Sequence, residues 1–246
     1  MKEKIEKEPK EPKQKKQPKE KKVKGTDLDL DDEPVKKEKK VKAPKEKKVK
    51  PVSRSKVTAK FFKKFSGRSM DSYDQMVQAD YDLAIERAHQ LSSIGKYDYS
   101  APVLITVPDS YGPTDKVSYR LSERSDGSYT MMYDQALIYV LFFGKDSLFY
   151  YRANVDHRYG KIGSDIAGEF KYKDVVHMET ELKYDNVTHP KYLTLELEIG
   201  LADSTIVTFH LRNHRIHPDY ELPTLLTEQE SKILNILKSK VRESRT

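Results

Sequence analysis

Apolar and polar residues follow three different patterns along the chain, and each pattern predicts a different kind of structure. In residues 1–50 large apolar side chains are almost absent, lysine alternates with glutamate, and prolines recur. In residues 69–95 apolar residues recur at steps of three and four, which is the period of an amphipathic α-helix. After Gly95 the period falls to two, which is typical of β-strands. The chain is therefore predicted to pass from an unfolded arm through one helix into a strand-rich body.

The helix predicted over residues 72–94 carries a single apolar stripe. The stripe consists of Tyr73, Met76, Val77, Tyr81, Ala84, Ala88 and Leu91. Gly95 supplies a stop signal for this helix. An apolar stripe needs another apolar surface to cover it. We expect the helix to dock onto a sheet of the same chain or onto a second copy of itself, so that self-association through residues 72–94 is one expectation.

The strand-rich body contains eight segments with the period of a strand. They are residues 103–107, 117–121, 129–132, 136–143, 147–153, 170–181, 191–199 and 205–211. Glycine, proline, asparagine or aspartate marks the breaks between them. Seven or eight short strands joined by hairpin-length turns predict an antiparallel barrel or sandwich and argue against a fold of alternating strands and helices.

A second helix is predicted near the end of the chain. Thr227 and Glu230 have the spacing of a capping box, which marks a helix start. The residues Ile233, Leu234, Leu237 and Val241 form its apolar stripe. The predicted fold class is α+β: an antiparallel β-barrel or sandwich of seven to eight strands with a C-terminal capping helix, preceded by one amphipathic helix and a disordered Lys-rich N-terminal arm.

Two segments in the middle of the body resemble a known family. Residues 143–151 read FGKDSLFYY, and residues 170–179 read FKYKDVVHME, with a glycine-rich stretch between them. Together they resemble the pattern of GRAM-like and bacterial pleckstrin-homology-like domains, in which a strand pair ends in aromatic residues before the next sheet begins. The resemblance covers about residues 100–243. It implies a barrel whose open end is plugged by the C-terminal helix; a plain β-sandwich with a packed helix is the alternative.

The resemblance also implies a class of ligand, because pleckstrin-homology-like domains hold lipid headgroups with basic residues near strand–loop junctions. The basic residues that match this description are Lys145, Arg152, Arg158, Lys161, Lys171 and Lys173. Arg158 and Lys161 fall within residues 154–169, which the glycines predict to be a long loop between two strands. Long loops on a rigid β scaffold often bind ligands, so Arg158 and Lys161 mark a candidate loop site.

Charge is distributed very unevenly over the 246 residues, whose net charge is +7. Residues 1–68 hold 26 basic and 12 acidic residues, a net charge of +14, so the remaining residues carry −7. The absence of cysteine excludes disulfides, thiolate metal sites and cysteine catalysis. The longest apolar run, residues 136–143, is too short to span a bilayer. We expect a cytoplasmic protein, with membrane association as an open alternative.

The arm, residues 1–56, is the first of three predicted domains. Its hexapeptide KEKKVK occurs three times, and residues 27–33 form an acidic insert between the first two copies. Repeated basic blocks act through their total charge. The arm is therefore predicted either to contact an anionic surface, such as membrane lipid, or to bind nucleic acid without sequence preference. A solubilising tether without a specific partner is the third alternative.

The second predicted domain, residues 57–96, begins with a basic-aromatic segment, residues 57–68. The candidate membrane or anion contacts in it are Lys60, Phe61, Phe62, Lys63, Lys64 and Phe65. Lysine is attracted to anionic headgroups, and phenylalanine inserts among acyl chains. The alternative is that the three phenylalanines pack on the body. The third predicted domain, residues 97–246, is the β domain with its C-terminal helix.

Catalytic chemistry is not predicted from this sequence. Phosphate-loop and nucleophile-elbow motifs are absent. The cluster His210, His214, His217 and Asp219 would suit a metal only on a helix, whereas Pro218 indicates a strand that ends in a loop. We therefore expect no catalytic residue, no metal and no cofactor. The predicted function is a non-enzymatic intracellular binding or adaptor module whose partner is an anionic membrane surface or a protein. The alternative is a nucleic-acid- or ribosome-associated protein.

Overall fold

The computed structural model describes residues 53–95, 99–109, 116–216 and 225–246. The arm up to residue 52, with its acidic insert, lies outside the described residues. The helices are α1 (Arg54–Phe61), α2 (Asp71–Ser92) and α3 (Glu228–Glu243). The strands are β1 (Ser66–Arg68), β2 (Val103–Pro108), β3 (Tyr119–Glu123), β4 (Tyr129–Tyr133), β5 (Gln135–Phe143), β6 (Ser147–Asp156), β7 (Lys161–Lys171), β8 (Val175–Tyr184), β9 (Tyr192–Leu201) and β10 (Ile206–Arg215).

These ten strands form three sheets. An antiparallel four-stranded sheet has the order β2-β5-β6-β7, and an antiparallel three-stranded sheet has the order β10-β9-β8. The third sheet, β1-β3-β4, combines a hairpin with the short strand β1, which runs parallel to β3. The α+β class with a strand-rich body and a C-terminal helix is confirmed.

Strand β5 explains the longest apolar run of the sequence. Leu137, Tyr139 and Leu141 contribute to a core shared with the three-stranded sheet and α3. The intervening residues of β5 contribute to a second core, which α2 and the β3–β4 hairpin cover. A strand that is covered on both faces needs apolar residues at every position, so this run has no alternation.

Helix α2 docks on the four-stranded sheet. Tyr73, Val77, Ala84 and Ala88 of the predicted stripe are buried, and the helix packs against β5, β6 and β7. Asp80, which the stripe did not include, is buried with them, and Leu91, which it did include, is exposed. The expectation that the stripe docks onto a sheet of the same chain is confirmed. Because the sheet covers this stripe, self-association through residues 72–94 would need the opposite face of the helix.

Helix α3 also has the predicted start and stripe. The Thr227 hydroxyl accepts a hydrogen bond from the backbone N–H of Glu230, and the Glu230 carboxylate accepts one from the backbone N–H of Thr227. Ile233, Leu234 and Leu237 are buried in the core between the four-stranded and three-stranded sheets. The capping box and the apolar stripe of this helix are therefore confirmed.

The described residues form ten strands, and the eight predicted segments missed two of them: β7, which was mistaken for a loop, and the three-residue β1. Residues 154–169 form a tight hairpin, in which β6 runs to Asp156 and β7 starts at Lys161. Of the glycines that suggested a loop, Gly160 lies in the turn, and Gly163 and Gly168 lie within β7. At Gly168 a Cβ would overlap the ring of Tyr150, the residue that pairs with it on β6, so glycine allows this ring to cross β7.

Two smaller differences concern a break within one predicted strand and the short strand β1. The segment predicted as one strand over residues 170–181 is broken by a 3₁₀ turn at Tyr172–Asp174, where the chain passes from β7 to β8. Strand β1 has only three residues, too few to show a period in the sequence. Within the described ranges, no helix is long and apolar enough to cross a membrane.

Candidate functional site

The edge strands of the three sheets meet at a cleft of about 450 Å³. Strands β2, β4 and β10 are each terminal in their sheets, and the first turn of α3 closes the cleft. We call this site the three-edge cleft. Its walls are formed by Leu104, Ile105, Thr106, Pro108, Arg124, Tyr129, Thr130, Met131, Tyr133, Leu211, Arg212, Asn213, His214, Thr227, Gln229, Glu230 and Ile233. A larger depression lies near Phe170, and the described residues of its wall include no buried polar side chain.

A buried ion pair joins β10 to α3 in this cleft. The Arg212 Nε donates to Glu230 Oε1 at 2.7 Å, and Arg212 Nη2 donates to Glu230 Oε2 and to the Leu225 carbonyl oxygen. Burial by itself raises the pKa of Glu230, but the hydrogen bonds from Arg212 and Thr227 outweigh it and hold this pKa below its ordinary value. The pair is fully engaged, so it supports the wall and offers a ligand no free charge.

Asn213 has an unusual position beside that pair. The residue is only 2% exposed, and its Nδ2 donates to the Pro108 carbonyl oxygen at 3.5 Å. A carbonyl oxygen only accepts, so this contact fixes which end of the amide is the donor. Among the described residues no donor reaches the Asn213 Oδ1, which is buried. An unsatisfied buried acceptor costs about 1–3 kcal/mol, so this atom needs a donor from water or from a ligand.

His214 follows in the same wall and is uncharged near neutral pH. Burial and, secondly, the charge of Arg212 lower the pKa of His214 to about 4, against an opposing effect of Glu230. At the rim, Arg124 and Tyr129 are exposed. The described wall of the cleft therefore combines the uncharged polar side chains of Asn213 and His214 with apolar side chains, and Arg124 lies at its rim. This arrangement can bind a ligand.

The predicted membrane contacts in the basic-aromatic segment divide into buried and exposed groups. Phe61 is fully buried, and its ring stacks on Tyr73 with centroids 4.0 Å apart. The alternative of packing on the body therefore holds for Phe61, whose ring cannot insert into a bilayer while α1 is docked. Phe62 and Phe65 are half-buried. The side chains of Lys60, Lys63 and Lys64 are exposed.

A buried polar cluster holds α1 in place. Arg54 donates to the His157 carbonyl oxygen at 2.9 Å and to the Met76 carbonyl oxygen at 3.2 Å, and it forms an ion pair with Asp80. The Asp80 Oδ2 also lies 2.7 Å from the His157 Nδ1. The Gly160 backbone, with φ of +63°, leaves room for the Arg54 guanidinium. These contacts anchor the start of the basic-aromatic segment to α2 and to the β6–β7 turn.

The candidate loop site does not bring its two residues together on one ligand. Arg158 lies in the β6–β7 turn and is engaged by Asp156, with Nε 2.9 Å from Oδ1 and Nη2 2.6 Å from Oδ2. Lys161 is the exposed first residue of β7 and lines a different small depression. The loop that suggested this site is a hairpin, so the argument from loop length no longer applies.

Of the predicted histidine cluster, His217 and Asp219 lie outside the described residues. His210 and His214 both belong to β10, where the His210 Nδ1 is 3.2 Å from the Glu196 Oε1. Burial lowers the pKa of His210, as it does that of His214. The described ranges contain no group of three potential metal ligands.

Sequence reasoning missed the three-edge cleft, whose parts lie far apart in the chain. One contact in its wall joins Pro108 to Asn213, and another joins Arg212 to Glu230. One signal was present: arginine and asparagine follow each other in a strand that is otherwise suited to burial. Comparison of the chain with protein-family models, with curated proteins and with solved structures found no match.

Proposed function

We propose that this chain is a non-enzymatic binding module with a pleckstrin-homology-like barrel that contacts an anionic surface, such as membrane lipid, through its N-terminal cations. The order of the elements supports the barrel architecture. A four-stranded and a three-stranded antiparallel sheet share one core with a C-terminal helix, whose apolar stripe lies between them. The hairpin β3–β4 is inserted between the first two strands of the larger sheet.

The observation that carries the surface contact is the separation of charge within the first elements. The side chains of Lys56, Lys60, Lys63, Lys64 and Arg68 are exposed on α1, on the turn after it and on β1. No acidic residue occurs in residues 51–68, and the 20 lysines of residues 1–50 precede them. The cations are thus concentrated at one end of a chain whose remainder carries −7.

The magnitudes indicate that lysine charges contribute more to membrane binding than insertion of the phenylalanine rings does. Each lysine near an anionic membrane contributes about 1 kcal/mol, so the exposed cations of α1 and its turn supply several kcal/mol. Phe61 is buried, and Phe62 and Phe65 keep only part of their rings accessible. A contact made mainly by exposed charges is screened by salt, because the Debye length is about 8 Å at physiological ionic strength.

A flotation experiment with the full chain tests this proposal. Vesicles of phosphatidylcholine alone are compared with vesicles containing phosphatidylserine, at low and at physiological salt. We expect recovery only with the anionic vesicles and a several-fold loss for the variant Lys60→Gln/Lys63→Gln/Lys64→Gln. The matched control is Lys191→Gln/Lys232→Gln/Lys238→Gln, which removes the same charge from other exposed positions and should float like the wild type.

Two outcomes would contradict the proposal. Equal recovery with neutral and anionic vesicles at low salt would reject an electrostatic contact. If duplex DNA of unrelated sequences instead bound more tightly than anionic vesicles, and removed the chain from them, the nucleic-acid alternative would be preferred. In that case the N-terminal cations would still be the binding element, but they would contact nucleic acid and not membrane lipid.

A further inference from the structure

The three-edge cleft contains a buried hydrogen-bond acceptor without a donor, and this atom restricts what the cleft can bind. The Asn213 amide is oriented by its contact with the Pro108 carbonyl oxygen, so its Oδ1 is available only as an acceptor. A ligand that satisfies this oxygen must bring an N–H or O–H group. A single neutral amide oxygen is a poor site for a metal ion, and it repels a carboxylate or phosphate.

The strand edges around the cleft point to the backbone of a peptide as the source of that donor. Edge strands leave backbone N–H and C=O groups unpaired, and an extended chain can pair with them. On β2, two edge carbonyls are already capped by side-chain amides: Leu104 by Gln229 at 2.8 Å and Pro108 by Asn213. Beside these amide caps, β4 and β10 line the cleft as terminal strands of their sheets.

The remaining walls suit the side chains of such a peptide. Ile105, Met131 and Leu211 provide buried apolar surface. Glu230 is the one carboxylate among the described residues of the wall, and it is occupied by Arg212. Its volume falls within the range of small-ligand clefts, about 300–1,000 Å³, which limits the occupant to a few residues.

We propose that the three-edge cleft binds a short extended peptide segment of a partner protein, with a backbone N–H of the peptide donating to the Asn213 Oδ1. The peptide lies along the edges of β4 and β10 and places apolar side chains against the cleft walls. None of the exposed cations of residues 56–68 lines this cleft, so the cleft is a second binding surface in the described part of the chain. The module would then join a protein partner to the anionic surface that its N-terminal cations contact.

The test uses a tryptophan reporter, because the chain contains no tryptophan. The variant Tyr129→Trp places a single fluorophore at the rim of the cleft, and Tyr184→Trp places one on β8, at similar exposures of 43% and 49% for the replaced tyrosines. The probes are seven-residue peptides selected on the wild-type full chain from a random displayed library and then synthesised. We expect saturable changes in fluorescence with Tyr129→Trp and none with Tyr184→Trp.

Two further variants, each combined with Tyr129→Trp, relate binding to the proposed contact. Asn213→Ala should weaken peptide binding about tenfold, the effect of about 1.4 kcal/mol for one buried hydrogen bond. Asn235→Ala, on the exposed side of α3, should leave affinity unchanged. Because Asn213→Ala removes a buried side chain, its melting temperature is measured as well. If it does not fold, Thr130→Arg, which fills the cleft from β4, should abolish binding while Asn213 stays intact.

Failure of this inference can be distinguished from failure of the proposed function. A selection that enriches no peptide would mean that water alone satisfies Asn213. Peptides that bind Asn213→Ala or Thr130→Arg as tightly as the wild type would also overturn the inference. Peptides that lose affinity for Lys60→Gln/Lys63→Gln/Lys64→Gln belong to the N-terminal cations and would reject the cleft as their site.

Discussion

At the scale of single residues, burial changes the chemistry of side chains that the sequence presents as ordinary. His214 is one of seven histidines, and only its place in the three-edge cleft separates it from the others. Because burial lowers its pKa to about 4, the folded chain keeps this imidazole neutral where an unfolded chain would protonate it. The difference in proton binding makes stability depend on pH.

We expect acid to destabilise the protein through His214. With a pKa of about 4 in the folded state and about 6.5 in the unfolded state, the unfolded chain binds more protons between these values. Stability should fall as the pH drops through this window, by about 2 kcal/mol between pH 7 and pH 5. Urea unfolding of His214→Gln at both pH values should show a correspondingly smaller loss than the wild type.

The exposed His177 provides the matched control for this measurement. Its side chain is accessible on β8, so His177→Gln should keep the full pH dependence of the wild type. His210 shifts in the same direction as His214, so the His214→Gln variant should retain part of the slope. An identical slope in His214→Gln and the wild type would show that His214 is not buried in its neutral form.

At the scale of elements, strand β7 shows how a glycine can belong to a strand. The Tyr150 ring crosses β7 at Gly168 and packs near Phe170 and Phe209. The contact with Phe209, on β10, joins the four-stranded sheet to the three-stranded sheet. A side chain at position 168 would displace the ring, so this strand depends on the absence of a Cβ.

We therefore expect Gly168→Ala to destabilise the fold by about 1–3 kcal/mol, the usual cost of overpacking a well-packed site. Denaturant unfolding measures this loss. On the same strand, Gly163→Ala is the control, because its Cβ would meet its nearest neighbour, the Asn154 carbonyl oxygen, at 3.6 Å. In a Tyr150→Leu background the cost of Gly168→Ala should shrink. Equal costs in both backgrounds would show that the ring does not cause the effect.

At the scale of the whole molecule, the question is where the folded part begins. Arg54 and Phe61 fasten α1 to the body through the Asp80 cluster and the stack on Tyr73. The composition of residues 1–50 predicts a segment that cannot bury enough apolar surface to fold. The anchored start of α1 should therefore mark the boundary.

Limited digestion with trypsin should find this boundary. We expect rapid cleavage among the lysines of residues 1–50, and a largest resistant fragment whose first residue precedes Arg54. Mass spectrometry of the fragment gives its N-terminus. A fragment that starts after Lys63 or Lys64 would mean that α1 is not held by its buried contacts. A resistant fragment that retains residues 19–50 would mean that the arm is folded or docked.

The sequence by itself determined the kinds of elements and the separation of charge. The period of three and four residues predicted α2, the Thr227–Glu230 capping box predicted the start of α3, and alternation predicted most of the strands. These features are local, because a helix or strand shows its buried face within a few residues of chain. The contrast between a basic N-terminal region and an acidic remainder is a matter of composition alone.

The tertiary structure decided which faces are covered and which residues meet. It turned residues 154–169 from an expected loop into a hairpin, and it buried Phe61 in a segment whose composition also suits a membrane. It also brought Pro108 into contact with Asn213, although the two residues are more than one hundred positions apart in the sequence. Burial and cavities depend on contacts between distant segments, which no local period records. For that reason the three-edge cleft and its unsatisfied amide oxygen are visible only in the folded chain.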